Sequence, residues 1–123
     1  MKSDYVNSYQ DLIVWQRAMD LVVEIYKISE KYPNSELYGL TSQTRRSAVS
    51  IPSNVAEGRR RSSRRSYLNF LTIAYSSGAE LETQVEIAKR LNFGKKLDFT
   101  KIDDFLSQVM RMLNRMTYKL RTQ

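Results

Sequence analysis

Hydrophobic and polar positions alternate with the period of an α-helix in four separate segments of the chain. In the first, residues 11–31, apolar residues recur three or four positions apart and polar residues fall mainly on the opposite side. Its apolar face consists of Leu12, Trp15, Met19, Val22 and Tyr26, broadened by Ala18, Leu21, Ile25 and Ile28. The stretch "KYPNSELYG" then interrupts the pattern with Pro33, Asn34 and Gly39, which predicts a turn.

The second segment, residues 41–57, predicts a helix with a thin apolar face. That face is formed by Leu40, Thr44, Ala48, Ile51 and Val55. Pro52 lies inside the segment and removes one hydrogen bond, so we expect a kink near Ala48. Gly58 is a natural left-handed terminator and is predicted to end the helix.

The third segment, residues 64–92, has the most regular pattern and carries two adjacent seams, the second of them mixed apolar and polar. The first seam alternates at spacings of four and three and comprises Tyr67, Leu71, Ala74, Gly78, Leu81, Val85 and Ala88. The second comprises Phe70, Ile73, Ser77, Glu80, Gln84, Ile87 and Leu91. A helix with two seams has two neighbours to satisfy, as in a bundle or an oligomer. "NFGKK" is predicted to end it at Gly94.

The fourth segment, residues 100–121, starts with Thr100 as the expected N-cap and with Asp103 in a capping-box-like position. Its seam consists of Ile102, Leu106, Val109, Leu113, Met116 and Leu120, with Phe105 and Met112 beside it. Four helices with short connections predict an all-α, antiparallel up-down-up-down four-helix bundle. We expect one domain spanning residues 1–123.

Composition narrows the chemistry open to such a bundle. The 123 residues include no cysteine and no histidine, which excludes disulfides, thiolate metal sites and the most frequent general base. Lysine and arginine outnumber aspartate and glutamate by 20 to 13, and the resulting net charge of +7 favours polyanionic partners. The amino-terminal stretch lacks a signal-peptide core and no segment approaches a membrane span, so we expect a cytoplasmic protein without membrane contact.

Catalysis has little support in the sequence. There is no nucleophile elbow and no phosphate-binding loop, and a di-iron site would need histidines. We therefore expect no enzyme activity, no metal site and no cofactor. The remaining candidates are the carboxylates Glu57, Glu80, Glu82, Glu86, Asp103 and Asp104. Asp103 and Asp104 are better explained by the positive end of the fourth helix, which they neutralise.

Polar residues also recur at helical spacing beside the apolar face of the second helix. They are Gln43, Arg46, Ser50, Asn54 and Glu57, and the third helix offers Ser77, Glu80 and Gln84 opposite them. The hairpin register allows contacts between Arg46 and Glu80, or between Glu57 and Arg64. Two interpretations stay open: an ordinary exposed face, or a buried polar layer that fixes helix register or a subunit interface.

The connection between the second and third helices packs five arginines into seven residues, Arg59–Arg65. Arg59, Arg60 and Arg61 follow the second helix, where cations favourably meet the negative end of its dipole. Ser62 and Ser63 are natural N-caps for the third helix. Arg64 and Arg65 lie in its first turn, where cations are disfavoured unless an anion binds. The pair is the best evidence in the sequence for a bound phosphate.

Three stretches resemble a known family, the 23S rRNA intervening-sequence (S23) proteins, which includes the accessory variability determinant of diversity-generating retroelements. They are "DLIVWQRAMDL", "YGLTSQTRRSAVSIPSNVAEGRRR" and "LNFLTIAYSSGAELETQVEIAKRL". The resemblance covers about residues 9–120, and its most specific part is S-I-P-x-N-x-A-E-G, Ser50–Gly58. It implies an up-down bundle that assembles into a pentameric ring with a basic surface. The retroelement members bind nucleic acid and a reverse transcriptase.

The resemblance also implies roles for particular positions. Those matching its motifs are Gln43, Arg46, Ser50, Pro52, Asn54, Glu57 and Gly58 in the second helix, and Ser77, Glu80, Leu81, Glu82 and Gln84 in the third. They resemble architectural and assembly positions rather than catalytic ones.

Two functional hypotheses follow. The first is a homopentameric bundle that binds RNA or DNA phosphates through Arg59, Arg60, Arg61, Arg64 and Arg65 without sequence discrimination, as a reverse-transcriptase accessory protein or alone. The alternative is a protein-interaction scaffold whose arginines only keep it soluble. The sequence leaves open the choice between RNA and DNA.

Overall fold

Four α-helices make up most of the chain in the computed structural model, which describes residues 8–123. The helices are α1, Ile13–Ser29; α2, Ser42–Arg60; α3, Arg64–Arg90; and α4, Thr100–Thr122. Short 3₁₀ turns lie at Tyr9–Asp11, Asn34–Glu36 and Asn92–Lys96, and a π-helical turn lies at Leu37–Thr41. No strand occurs in residues 8–123. The predicted single domain and the predicted lack of a signal peptide also involve residues 1–7, which lie outside the described residues.

Each helix packs against the next one in the chain, and α1 closes the ring against α4. The contacts between α2 and α3, the most extensive pair, run in opposite directions along the two helices: Ser50 meets Ser77, and farther along α2 Gly58 lies against Phe70. A three-residue connection, 61–63, leaves these helices no other arrangement. The predicted all-α four-helix bundle is confirmed.

The core follows the predicted seams in three of the four helices. In α2 the five predicted apolar positions are all buried, and in α3 the first seam is buried except for the half-buried Tyr67. In α4 the seam is buried from Ile102 to Leu113, and Met116 and Leu120 are half-buried. A seam that packs between two neighbouring helices is covered on both sides, so the spacing of its apolar residues predicts correctly which positions are buried.

In α1 the predicted face is shifted. Met19 and Tyr26 are exposed, and the buried positions are Val14, Ala18, Leu21, Ile25 and Ile28. Nine predicted apolar positions wrap more than half of this helix, so the periodicity alone does not fix which of them point to the centre.

The second seam of α3 is only partly covered by this chain. Ser77 is buried, and Phe70 and Gln84 are half-buried. The remaining members are exposed: Ile73, Glu80, Ile87 and Leu91. The seam therefore leaves an exposed stripe on the outside of the bundle, in which the charged Glu80 separates Ile73 from Ile87 and Leu91.

Both glycines predicted to terminate helices do something else. Helix α2 continues through Gly58 to Arg60, and Gly58 does not adopt a positive φ. A Cβ at this position would lie 2.8 Å from the Cβ of Phe70, so the glycine serves close packing between helices. Helix α3 ends at Arg90, before the 3₁₀ turn that contains Gly94, where a Cβ would clash with the carbonyl of Ala88.

The start of α4 also differs from the prediction. Thr100 is the first helical residue rather than the N-cap. The Asp98 carboxylate accepts hydrogen bonds from the hydroxyl of Thr100 at 2.6 Å and from the backbone N–H of Thr100 at 2.9 Å. These bonds hold the Asp98 pKa below its usual range. Asp103 instead forms an ion pair with Lys89 at 2.8 Å, which links α4 to α3. Helix α2 carries the buried Pro52 in its interior without interruption.

Candidate nucleic-acid interface

The up-down topology gathers four helix termini at one end of the bundle: the start of α1, the end of α2, the start of α3 and the end of α4. We call this the arginine end, defined by the five residues Arg59, Arg60, Arg61, Arg64 and Arg65. Four of them are exposed and Arg59 is half-buried. The predicted cap at Ser63 is confirmed, since its hydroxyl accepts from the backbone N–H of Ser66 at 3.1 Å.

Arg60 stacks on a ring contributed by the segment before α1. Its Cζ lies 5.5 Å from the centroid of the Tyr9 ring, within the range of a cation–π contact. Tyr9 in turn meets Trp15 edge-on, with ring centroids 5.4 Å apart. The Ser8 side chain holds this segment by accepting from the backbone N–H of Gln10.

Arg61 has two partners. Its Nη2 lies 2.6 Å from Oε2 of Glu57, and its Cζ lies 4.8 Å from the centroid of the Phe70 ring on α3. The predicted contact between Glu57 and Arg64 is therefore wrong, because Glu57 lies one helical turn before Arg61 and is satisfied within α2.

Arg59 lies close enough to Tyr67 for its charge to act on the phenol. Burial raises the Tyr67 pKa, and the positive charge of Arg59 partly opposes that rise. Arg59, like Arg61, is thus associated with the packed contact between α2 and α3.

Arg64 and Arg65, the pair that the sequence singled out, differ from each other. Arg64 donates a hydrogen bond to the backbone carbonyl of Gln123 after α4. Arg65 lines an open cavity of about 500 Å³ along the first turns of α3, together with Ser63, Ser66 and Asn69. Among residues 8–123 no carboxylate pairs with Arg65, which leaves its charge for a ligand.

Sequence reasoning missed two cations at this end. Lys119 and Arg121 lie in the last turn of α4, are exposed, and reach the arginine end because α4 finishes beside Arg64. The predicted topology would have placed both cations at this end, since the end of the fourth helix must lie beside the start of the third. Nothing in the sequence indicated that the rings of Tyr9 and Phe70 lie beneath arginines.

The polar stripe between α2 and α3 combines the two open interpretations. Its centre is a partly buried layer formed by the buried Ser77 and the half-buried Ser50 and Asn54. The hydroxyls of Ser50 and Ser77 lie 2.7 Å apart, and Asn54 donates to Oγ of Ser50 at 3.0 Å. Its outer members Gln43, Arg46, Glu57 and Glu80 are exposed. The layer therefore joins the two helices at one level.

Beside this layer the same stripe opens a notch of about 320 Å³. Arg46 and Glu80 line it from opposite helices, although no ion pair joins them. Gln84 contributes its side-chain amide oxygen Oε1, which is buried without a hydrogen-bond partner in the described chain. Arg46 and Glu80 therefore lie near each other, as the sequence predicts, but they do not form an ion pair in the described chain.

A second surface lies at the opposite end of the bundle, between α1 and the start of α2. This groove, of about 510 Å³, is lined by Tyr26, Leu37, Tyr38, Thr41, Ser42, Arg45, Arg46 and Val49. Arg45 lies over the Tyr26 ring at 4.6 Å and donates to the Ser29 hydroxyl at 2.8 Å. Tyr38 is 92% exposed.

Three of the six candidate carboxylates, Glu82, Glu86 and Asp103, line one open cavity of about 420 Å³ between α3 and α4, whereas Glu57 and Glu80 lie at other sites. All six are exposed, and three are ion-paired: Glu57 with Arg61, Glu86 with Arg90, and Asp103 with Lys89. Within residues 8–123, no three or more histidine, cysteine, aspartate or glutamate side chains are grouped so as to hold a metal ion. Over the same residues, no helix is long and apolar enough to cross a membrane.

The family follows from a match over most of the bundle. The sequence model of the family described as "23S rRNA-intervening sequence protein" matches residues 10–115, from before α1 into the second half of α4. The chain belongs to that family. No curated protein matches the chain.

Among solved structures, this member of the 23S rRNA-intervening sequence protein family is similar to a Bacteroides thetaiotaomicron protein described as of unknown function from the S23 ribosomal protein family. The TM-score is 0.77 at 22% sequence identity, and the match covers 85% of this chain and 98% of the other. At that identity the likeness shows the shared bundle fold.

Proposed function

We propose that the protein binds RNA or DNA at the arginine end, by contacts to phosphates and without sequence discrimination. The observation that carries the proposal is the concentration of exposed arginines there, with Lys119 and Arg121 added by the end of α4. Guanidinium groups donate two parallel hydrogen bonds to a phosphate, which suits arginine to this role.

Local electrostatics support the same assignment. Arg64 and Arg65 occupy the first turn of α3, where the helix dipole alone disfavours cations, and a bound phosphate removes that cost. Glu57 neutralises Arg61, and the other arginines keep a strong positive excess at this end. Contacts of this kind strengthen when several copies of the surface act together.

The test is a salt titration of binding to mixed-sequence RNA and DNA. We expect the logarithm of the association constant to fall linearly with the logarithm of salt concentration, by about 0.9 per phosphate contacted on duplex DNA. Changing Arg59, Arg60, Arg61, Arg64 and Arg65 to glutamate should lower affinity by about a hundred-fold or more and flatten the slope.

A matched control moves the same charge change to the other end of the bundle. It replaces five cations there with glutamate: Lys31, Arg90, Lys95, Lys96 and Lys101. Equal losses in the two variants indicate a general charge effect, and unchanged affinity in the arginine variant, or a flat salt dependence, contradicts the proposal. Circular dichroism confirms that both variants are folded.

Self-association into a homopentamer and action as a reverse-transcriptase accessory protein extend this proposal. The exposed part of the second α3 seam, Ile73, Ile87 and Leu91, supports an interface between copies, because these apolar side chains face solvent in the single chain. A ring would multiply the arginine end and raise affinity through avidity.

A second candidate function, a protein-interaction scaffold, is favoured by the groove at the other end. Its exposed Leu37, Tyr38 and Val49 form an apolar surface beside Arg45 and Arg46. A partner that still binds after the five arginines become glutamate would support the scaffold over the nucleic-acid function.

A further inference from the structure

Two arginines of the arginine end lie over aromatic rings. Arg60 lies over Tyr9 and Arg61 over Phe70, at 5.5 and 4.8 Å from the ring centroids. Both arginines are exposed, whereas both rings are half-buried. Each guanidinium therefore has one side on a ring and remains accessible to solvent.

Each of these two arginine–ring pairs has one further contact that restrains it. Tyr9 is braced by the edge contact with Trp15, and Arg61 is additionally tied to Glu57 at 2.6 Å. A planar cation that is already oriented loses less conformational freedom when a second flat group stacks on it. The two groups lie on different sides of the α2 terminus, since Tyr9 precedes α1 and Phe70 belongs to α3.

The pairing with Glu57 argues against phosphate as the main ligand of Arg61. The carboxylate cancels much of the attraction that Arg61 has for an anion and leaves the guanidinium plane in place. An exposed plane of low net charge suits a flat, polarisable ligand better than it suits a phosphate.

We infer that Arg60 and Arg61 are stacking platforms for unpaired nucleobases, so that the arginine end prefers single-stranded nucleic acid. The inference rests on the proposed nucleic-acid function and names its substrate class. Bases in single strands are free to stack on arginine planes, whereas the bases of a duplex are stacked on one another and present phosphates outward. Arg59, Arg64 and Arg65 then supply the phosphate contacts.

The test compares a fluorescently labelled mixed-sequence single strand with an abasic strand of equal length and with the duplex of the same sequence. All three ligands carry phosphates, and only the single strand offers free bases. At equal salt concentration we expect the single strand to bind about ten-fold more tightly than the abasic strand. In Arg60→Lys/Arg61→Lys, which keeps both charges and removes both planes, we expect this difference to disappear and abasic-strand affinity to stay unchanged.

The control Arg90→Lys/Arg111→Lys makes the same chemical change on exposed arginines away from this end and should keep the preference. Equal binding of the single and abasic strands by the unmodified protein overturns the inference and leaves phosphate binding intact. Preference for the duplex overturns it in the same way. Absence of binding to all three ligands overturns the proposed function together with the inference.

Discussion

Tyr32 is one of three residues in the described chain that bury a polar side-chain atom without a hydrogen-bond partner. It lies just after α1, is 6% exposed, and packs against Phe93 with ring centroids 4.8 Å apart. Its hydroxyl is buried without a hydrogen-bond partner in the described chain. Burial raises the pKa of Tyr32 to about 12, because the phenolate is poorly solvated there.

That burial predicts a loss of stability at alkaline pH. The unfolded chain releases the Tyr32 proton near its ordinary pKa of 10.0 and the folded chain only near 12, so the free energy of unfolding should fall across that interval. We expect the loss from this group to reach about 2 kcal/mol. Tyr32→Phe should remove it and, at neutral pH, keep or increase stability by about 1 kcal/mol, because no hydroxyl is left unpaired.

Urea denaturation at a series of pH values measures both effects. Tyr118→Phe, which changes a ring that is 64% exposed, is the matched control and should keep the alkaline loss. Identical pH dependence in Tyr32→Phe and the unmodified protein would show that the loss has another source.

At the level of the helices, the α2–α3 contact depends on a glycine that the side chains of α3 approach closely. A Cβ at Gly58 would meet Cβ of Phe70 at 2.8 Å and Cδ1 of Tyr67 at 3.1 Å. The Cβ of Phe70 is bonded directly to the backbone, so it moves only if the helices separate. Gly78 differs, because a Cβ there would meet the flexible end of Met110.

The two glycines therefore predict different costs for the same substitution. Gly58→Ala should destabilise the protein by about 2 kcal/mol, since overpacking exceeds the gain in helix propensity. Gly78→Ala should cost less than about 1 kcal/mol, because Met110 has other rotamers. Urea midpoints measured on both variants test the ranking, and a Gly58→Ala protein as stable as the parent contradicts the packing argument.

What the sequence predicts about these elements depends on how many neighbours constrain each one. The first seam of α3 and the cap at Ser63 were predicted correctly, because both are set by local spacing. The predicted role of Gly58 was wrong, since glycine occurs both at helix ends and at close contacts between helices, and only the partner helix distinguishes the two.

At the site, the arginine run was visible in the sequence. The rings under Arg60 and Arg61 were not, because Tyr9 approaches from a distant segment and Phe70 from another helix.

For the molecule as a whole, the five arginines lie at one end, whereas large exposed apolar side chains lie on several surfaces. They include residues on α1, on the outer face of α3 and in the groove beside Tyr38. Single exposed apolar residues are ordinary, but the group of Ile73, Ile87 and Leu91 on one helix face favours a contact between proteins.

The stripe predicts self-association through α3. If the proposed homopentamer forms, light scattering after size-exclusion chromatography should give its mass at micromolar concentration. Ile73→Glu/Ile87→Glu should reduce that mass to one chain by burying charge in the interface. Ile13→Glu, at an exposed position on α1, is the control and should leave the mass unchanged. A monomeric unmodified protein at that concentration rules out the ring.

The position of the outermost described residues has a practical consequence. Tyr9 lies on Arg60 and the carbonyl of Gln123 accepts from Arg64, so both ends of the described chain emerge at the arginine end. A purification tag or a surface linker attached after Gln123 would be tethered beside the basic cluster. Lys95 and Lys96, exposed in the connection between α3 and α4, lie at the other pole of the bundle. A label or immobilisation chemistry placed there keeps the arginine end open to solution.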